Sequence, residues 1–305
     1  MTNIIELYIK LIGLVSLGFI LGRKLPSNTA TYIGRFLFWI GVPITIIAFL
    51  RKTDLSGQIW IAPAIAYFAM FIGILLAWLA MKTYSYCRKT TSPVKTQGSV
   101  ILAAMVGNTG YLGFPVTLAM VGKDYFAWAL FYDLLGSLFI AYGVGTVLAA
   151  KFGNNIHNYL QILQVIFINP ALWSFGFGVL FRQVTLSQPL EFALDKIAWA
   201  ILALSLILIG VRMSRLTSWG NIPQASISVV IKMLLVPVIV GILLSCLGVT
   251  GKPALVIILQ TGMPPAFATL VLAETFNLDH DLAVTTLAMG VIVLLFTLPL
   301  WLWLW

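Results

Sequence analysis

Charge is scarce in this chain: 9% of its 305 residues are Asp, Glu, Lys or Arg, against 61% that are hydrophobic. A soluble domain carries about a quarter charged residues, so a solvated surface around a single core cannot be drawn from this composition. Cysteine and histidine are nearly absent, two of each. Cys87 falls in a basic loop and Cys246 in an apolar run, which leaves no disulfide framework. His157 and His280 sit in connecting segments, so no metal site is expected. No phosphate-binding Walker sequence, dinucleotide glycine loop or nucleophile elbow occurs, which argues against an ATPase or another enzyme and implies no cofactor. Long polar stretches are also lacking; the longest connection, 81–97, leaves no room for a soluble domain.

What is present is apolar length. Mean hydropathy is +1.03, and the runs at roughly 4–22, 31–50, 57–80, 98–121, 125–149, 159–181, 194–211, 222–246, 253–275 and 283–304 are each long enough to cross about 30 Å of hydrocarbon as a helix. They do not alternate apolar and polar residues, which excludes a transmembrane barrel. The expectation is an all-α, ten-span membrane protein. The first run contains Glu6 and Lys10 and has no small-residue cleavage site, so it reads as a retained helix in which these two residues, four apart, can pair. The net charge of +9 is scattered over short loops rather than gathered on one polar face, so nucleic acid is not an expected partner. With the N-terminus outside, ten basic residues fall on the cytoplasmic side (Arg23, Lys24, Arg35, Lys82, Arg88, Lys89, Lys95, Lys151, Arg212, Arg215). Six fall opposite (Arg51, Lys52, Lys123, Arg182, Lys196, Lys252). The bias places both termini outside the cell membrane, the inner membrane where there are two. Trp301, Trp303 and Trp305 are expected to anchor the last helix at the interface.

Ten spans divide into an odd-numbered five and five, 1–150 and 151–305, so the second half starts from the opposite side and the repeats are inverted. Pro63 and Pro237, and Pro115 and Pro265, fall in corresponding spans. Span four carries Gly107-Asn108-Thr109-Gly110-Tyr111-Leu112-Gly113-Phe114-Pro115, and span nine carries Gln260-Thr261-Gly262-Met263-Pro264-Pro265. Glycine relaxes a helix and proline removes a donor, so both spans should break. In hydrocarbon, freed backbone groups survive only where protein or a polar cavity satisfies them. Half-helix amide ends attract an anion and carbonyl ends hold a cation. Asn108, Thr109, Gly110, Pro115, Gln260, Pro264 and Pro265 are therefore the candidate substrate-binding residues. Ordinary kinks with glycine-mediated helix contacts are the alternative. Asp133 in span five, Lys232 in span eight and Glu274 at the end of span nine are candidates for a coupling or charge role, with structural pairing or interfacial capping as the alternatives.

These two motifs resemble the auxin efflux carrier family. Asn108 to Pro115 is similar to its first crossover, and Met263-Pro264-Pro265-Ala266 with Val271-Leu272-Ala273-Glu274 and Asn277-Leu278-Asp279 is similar to its second. Gly41-Val42-Pro43, Asn169-Pro170, Ile209-Gly210-Val211 and Lys232 with Pro237 extend the match over nearly the whole chain. The resemblance implies two inverted five-helix repeats, a scaffold domain (spans 1, 2, 6 and 7) with much of a homodimer contact, and a transport domain (spans 3–5 and 8–10). It implies alternating access and export of a small organic anion, auxins in plants and proposed dicarboxylates such as malate or malonate in bacteria. The long central hydrophilic loop of many plant members is missing here, so phosphorylation control at 151–158 is not expected. The expected function is a secondary carrier in the bilayer, driven by potential, a proton or another coupling ion. An anion channel or pore, and a non-transporting scaffold or sensor, are the alternatives.

Overall fold

The computed structural model describes residues 2–26, 28–53, 55, 57–89, 91–153, 168–215, 219 and 221–305, with side chains from residue 8 onward. The chain is helical: α1 Thr2–Lys24, α2 Thr29–Leu50, α3 Gly57–Arg88, α4 Val94–Met105, α5 Phe114–Met120, α6 Phe126–Gly153, α7 Pro170–Phe181, α8 Gln188–Met213, α9 Ile222–Cys246, α10 Lys252–Thr261, α11 Phe267–Thr275 and α12 His280–Leu304. Six of these (α2, α3, α6, α8, α9 and α12) are long and apolar enough to cross a membrane. No strand occurs among the described residues. The expected Glu6–Lys10 pair, His157 and the first part of span six lie outside what is described.

Proline determines where the long helices change pitch. A ring at position i collides with the carbonyl of i−4 and offers no N–H to it. Widening the preceding turn relieves that clash. A π-turn, Leu37–Gly41, precedes Val42-Pro43 in α2, and another, Ile231–Leu235, precedes Val236-Pro237 in α9. The π-turn Thr109–Gly113 likewise precedes Phe114-Pro115. A fourth, Phe131–Ser137 in α6, has no proline behind it.

The chain divides into two compact units. The first comprises Met1–Ile59, Gly110–Leu130 and Ile168–Leu216. Within it, glycines let backbones touch, as is common between membrane helices. Gly18 and Gly22 of α1 leave no room for a Cβ beside Ile207 and Val211 of α8, and Gly210 leaves none beside the Val15 carbonyl. Gly178 of α7 receives the Leu50 side chain of α2. Polar ties close one end: Asp195 pairs with Lys123 at 2.7 Å and with Lys52 at 3.5 Å, and Arg182 donates to the Thr53 carbonyl at 2.9 Å.

The second unit comprises Trp60–Thr109, Phe131–Phe167 and Thr217–Trp305. Helix α4 is buried continuously from Gly98 to Met105. Its Leu102 and Met105 pack into one apolar cluster with Met70 of α3 and Leu272 of α11 and with Phe276. Asp279 caps α12 by accepting from the Leu282 amide at 3.0 Å, and it also accepts from Thr96 and from Asn221, both at 2.8 Å.

Two expectations are corrected. The 81–97 loop is mostly helix, because α3 continues through Arg88 and α4 starts at Val94. Trp301 is buried rather than interfacial, its indole filling the space that a Cβ on Gly262 would need; only Trp303 of the three faces fully outward.

Candidate functional site

Both predicted breaks are present, and in the second unit they meet. Helix α4 ends when Val106 turns extended (φ −97°, ψ 117°), and Ala266, also extended (φ −80°, ψ 151°), starts α11. Gly107 and Pro265 form an antiparallel bridge. The Asn108 amide donates to the Pro264 carbonyl at 2.7 Å, and the Ala266 amide donates to the Val106 carbonyl at 3.0 Å. Two consecutive prolines bring no donor, so this short ladder is how the broken segments satisfy one another away from water. Gly290 of α12 accommodates the double proline: a Cβ there would lie 2.7 Å from Pro264 Cβ and 2.8 Å from Pro265 Cδ.

Lys232 reaches this crossing from the π-turn of α9. It is 2% exposed, and its Nζ donates to the Thr261 carbonyl at 2.8 Å. That carbonyl is at the C-terminal end of α10, the negative end of the helix dipole. An ammonium has three donors, and this is the one hydrogen bond it makes among the described residues; no carboxylate lies within ion-pairing distance of it there. The alternative of structural pairing with a carboxylate is therefore not observed for Lys232 among the described residues. Asp133, on the π-turn of α6, instead accepts from the Thr109 hydroxyl. Its neighbour Tyr132 is fully buried, with its hydroxyl 3.1 Å from Thr261 Oγ1.

Asn108 is 5% exposed, and its carboxamide has no hydrogen-bond partner among the described residues. Gln260 is fully buried in the last turn of α10. Seven of the ten candidate residues therefore belong to one region of the second unit: Asn108, Thr109, Gln260, Pro264, Pro265, Asp133 and Lys232. Gly110 and Pro115 belong to the first unit, where Gly110 borders a small apolar cavity with Tyr111, Phe114 and Ser205. Glu274 is at the end of α11 away from the break, exposed and 3.1 Å from His280. Tyr132 and Gly290 were missed by sequence reasoning. Tyr132 adjoins an intramembrane aspartate, a usable signal; Gly290 has no local signal.

Long apolar helices, with two further spans interrupted where polar groups converge, are those of a polytopic membrane protein. The profile of the membrane transport protein family matches residues 3–158 and 154–302. The chain belongs to that family, and its resemblance to auxin efflux carriers is borne out. Similar curated proteins are described as uncharacterized transporters. One, from Methanothermobacter thermautotrophicus, is 27% identical over 301 residues, covering 97% of this chain and 96% of its own. Another, from Methanocaldococcus jannaschii, is 25% identical over 289 residues, covering 91% and 90%.

Proposed function

We propose that the chain is a secondary transporter that exports a small organic anion, a carboxylate or auxin-like acid, binding it at the crossing of the two broken helices. The observation that carries this reading is the composition of the crossing. A buried lysine with no carboxylate partner, an unengaged Asn108 carboxamide and the N-terminus of α11 favour negative charge. Lys232 already occupies the carbonyl end where a coupling cation would otherwise bind, which argues against a metal-ion requirement at that end. In this reading Asn108, Thr109, Gln260, Pro264 and Pro265 contact or shape the anion site, with Gly110 and Pro115 setting the path of the chain that leaves it. Lys232 supplies charge. Asp133, held by Thr109, is the remaining candidate for proton coupling, and Glu274, exposed and paired with His280, is left as an interfacial group.

The ends of α4 and α10 and the starts of α5 and α11 flank equivalent breaks, which supports two inverted five-helix repeats, 1–150 and 151–305. Spans 1, 2 and 7 and the described part of span 6 gather in one unit, which supports a scaffold, although Gly110–Leu130 of spans four and five falls with them rather than with the crossing. The crossing in the other unit supports an elevator-type transport domain, and the homodimer in the cell membrane rests on the family resemblance alone. Counterflow into liposomes with a panel of labelled carboxylates tests the function. Saturable accumulation is expected, and Asn108→Ala should reduce it more than it reduces protein yield. A folded protein that accumulates no carboxylate would overturn the proposal.

A further inference from the structure

A second binding feature lies away from the crossing, wholly within the second unit. A groove of about 400 Å³ runs between α3 and the end of α6, floored by α4. Its walls are Leu75 and Trp78 of α3, Ile101 of α4, and Leu148 and Phe152 of α6, with Lys151 at the rim. The volume falls in the range of small-molecule sites, about 300–1,000 Å³. Leu75, Trp78 and Lys151 are exposed, so the groove opens outward rather than into the core.

Chemistry is segregated along it. Nearly all its lining is aliphatic or aromatic among the described residues, and no acidic side chain among them contributes. Cations are confined to one end: Lys151 is in the last turn of its helix, and Lys82, one turn beyond Trp78, holds its Nζ 3.8 Å from the Trp78 ring centroid. Tryptophan and lysine at the end of an apolar helix are the usual occupants of the headgroup level. This is also the end that the basic-residue bias assigns to the cytoplasm, where anionic lipids concentrate. An apolar trough with two lysines at its headgroup end complements a molecule with a long hydrocarbon tail and one negative head.

We infer that this groove is a binding site for an anionic phospholipid, with an acyl chain along Leu75, Ile101 and Leu148 and the phosphate between Lys82 and Lys151. Native mass spectrometry of the detergent-purified full chain, titrated with dioleoylphosphatidylglycerol or dioleoylphosphatidylcholine, provides the test. Phosphatidylglycerol should bind more tightly and raise the unfolding temperature more. With about 1 kcal/mol per lysine near a charged lipid surface, the Lys82→Gln/Lys151→Gln protein should lose roughly ten- to thirty-fold in phosphatidylglycerol affinity, with phosphatidylcholine unchanged. Leu148→Trp, which fills the trough, should weaken binding while both lysines remain. Equal binding of the two lipids, undiminished binding by the double variant, or full stabilisation by glycerol 3-phosphate alone would each overturn the inference.

Discussion

A Cβ on residue 107 would lie 2.8 Å from Lys232 Cε and 3.0 Å from its Nζ. Glycine at this position is therefore what lets the lysine reach the Thr261 carbonyl. Gly107→Ala should displace the ammonium, lower stability by about 1–3 kcal/mol as overpacking does, and abolish carboxylate counterflow. Thermal unfolding and flux measured on one preparation check both effects, and no change in either would mean that the lysine does not depend on that space. Lys232→Met keeps the apolar stem and removes the charge. Because an unpaired buried charge is destabilising, the variant should unfold at the same or a higher temperature while carboxylate affinity falls at least ten-fold. Asn108, Asp133 and Lys232 were legible in the sequence because polar groups stand out within apolar spans. The pairings of Asp133 with the Thr109 hydroxyl and of Lys232 with the Thr261 carbonyl were not, because they come from long-range packing.

Among the elements, π-turns connect sequence to site. Three of the four carry an intramembrane polar group named above: Thr109, Asp133 and Lys232. Prolines two residues beyond the turns of Thr109 and Lys232 make those pitch changes readable after the fact. The turn of Asp133 has no such marker, so tertiary packing decides it. The ends of elements are equally informative. Asp279 caps α12 and receives bonds from α4 and from the start of α9. Asp279→Ala should remove the cap and both ties, lowering stability by about 1–2 kcal/mol; a denaturation midpoint equal to that of the parent protein would contradict this. The acidic turn was visible in Asn277-Leu278-Asp279, but its three-way bonding was not, since Thr96 and Asn221 are remote from it in sequence.

For the whole molecule, the charge bias makes a prediction about sidedness. Cys87 and Cys246 are free and exposed, and Cys87 lies on the side expected to face the cytoplasm. In a Cys246→Ser protein, a membrane-impermeant maleimide should leave Cys87 unlabelled in right-side-out vesicles and label it after permeabilisation. Labelling before permeabilisation would reverse the topology. Composition and run length were enough to determine a many-helix membrane protein, because hydrocarbon permits no other use of such long apolar segments. The two glycine- and proline-rich interruptions located the breaks for the same reason: local backbone chemistry is written in consecutive residues. Only the tertiary structure decided that the breaks pair with each other, that Lys232 caps the carbonyl end of α10, and that Trp301 points inward. Those outcomes depend on the space left by Gly107, Gly262 and Gly290, and a missing side chain acquires meaning only from the neighbour that fills its place.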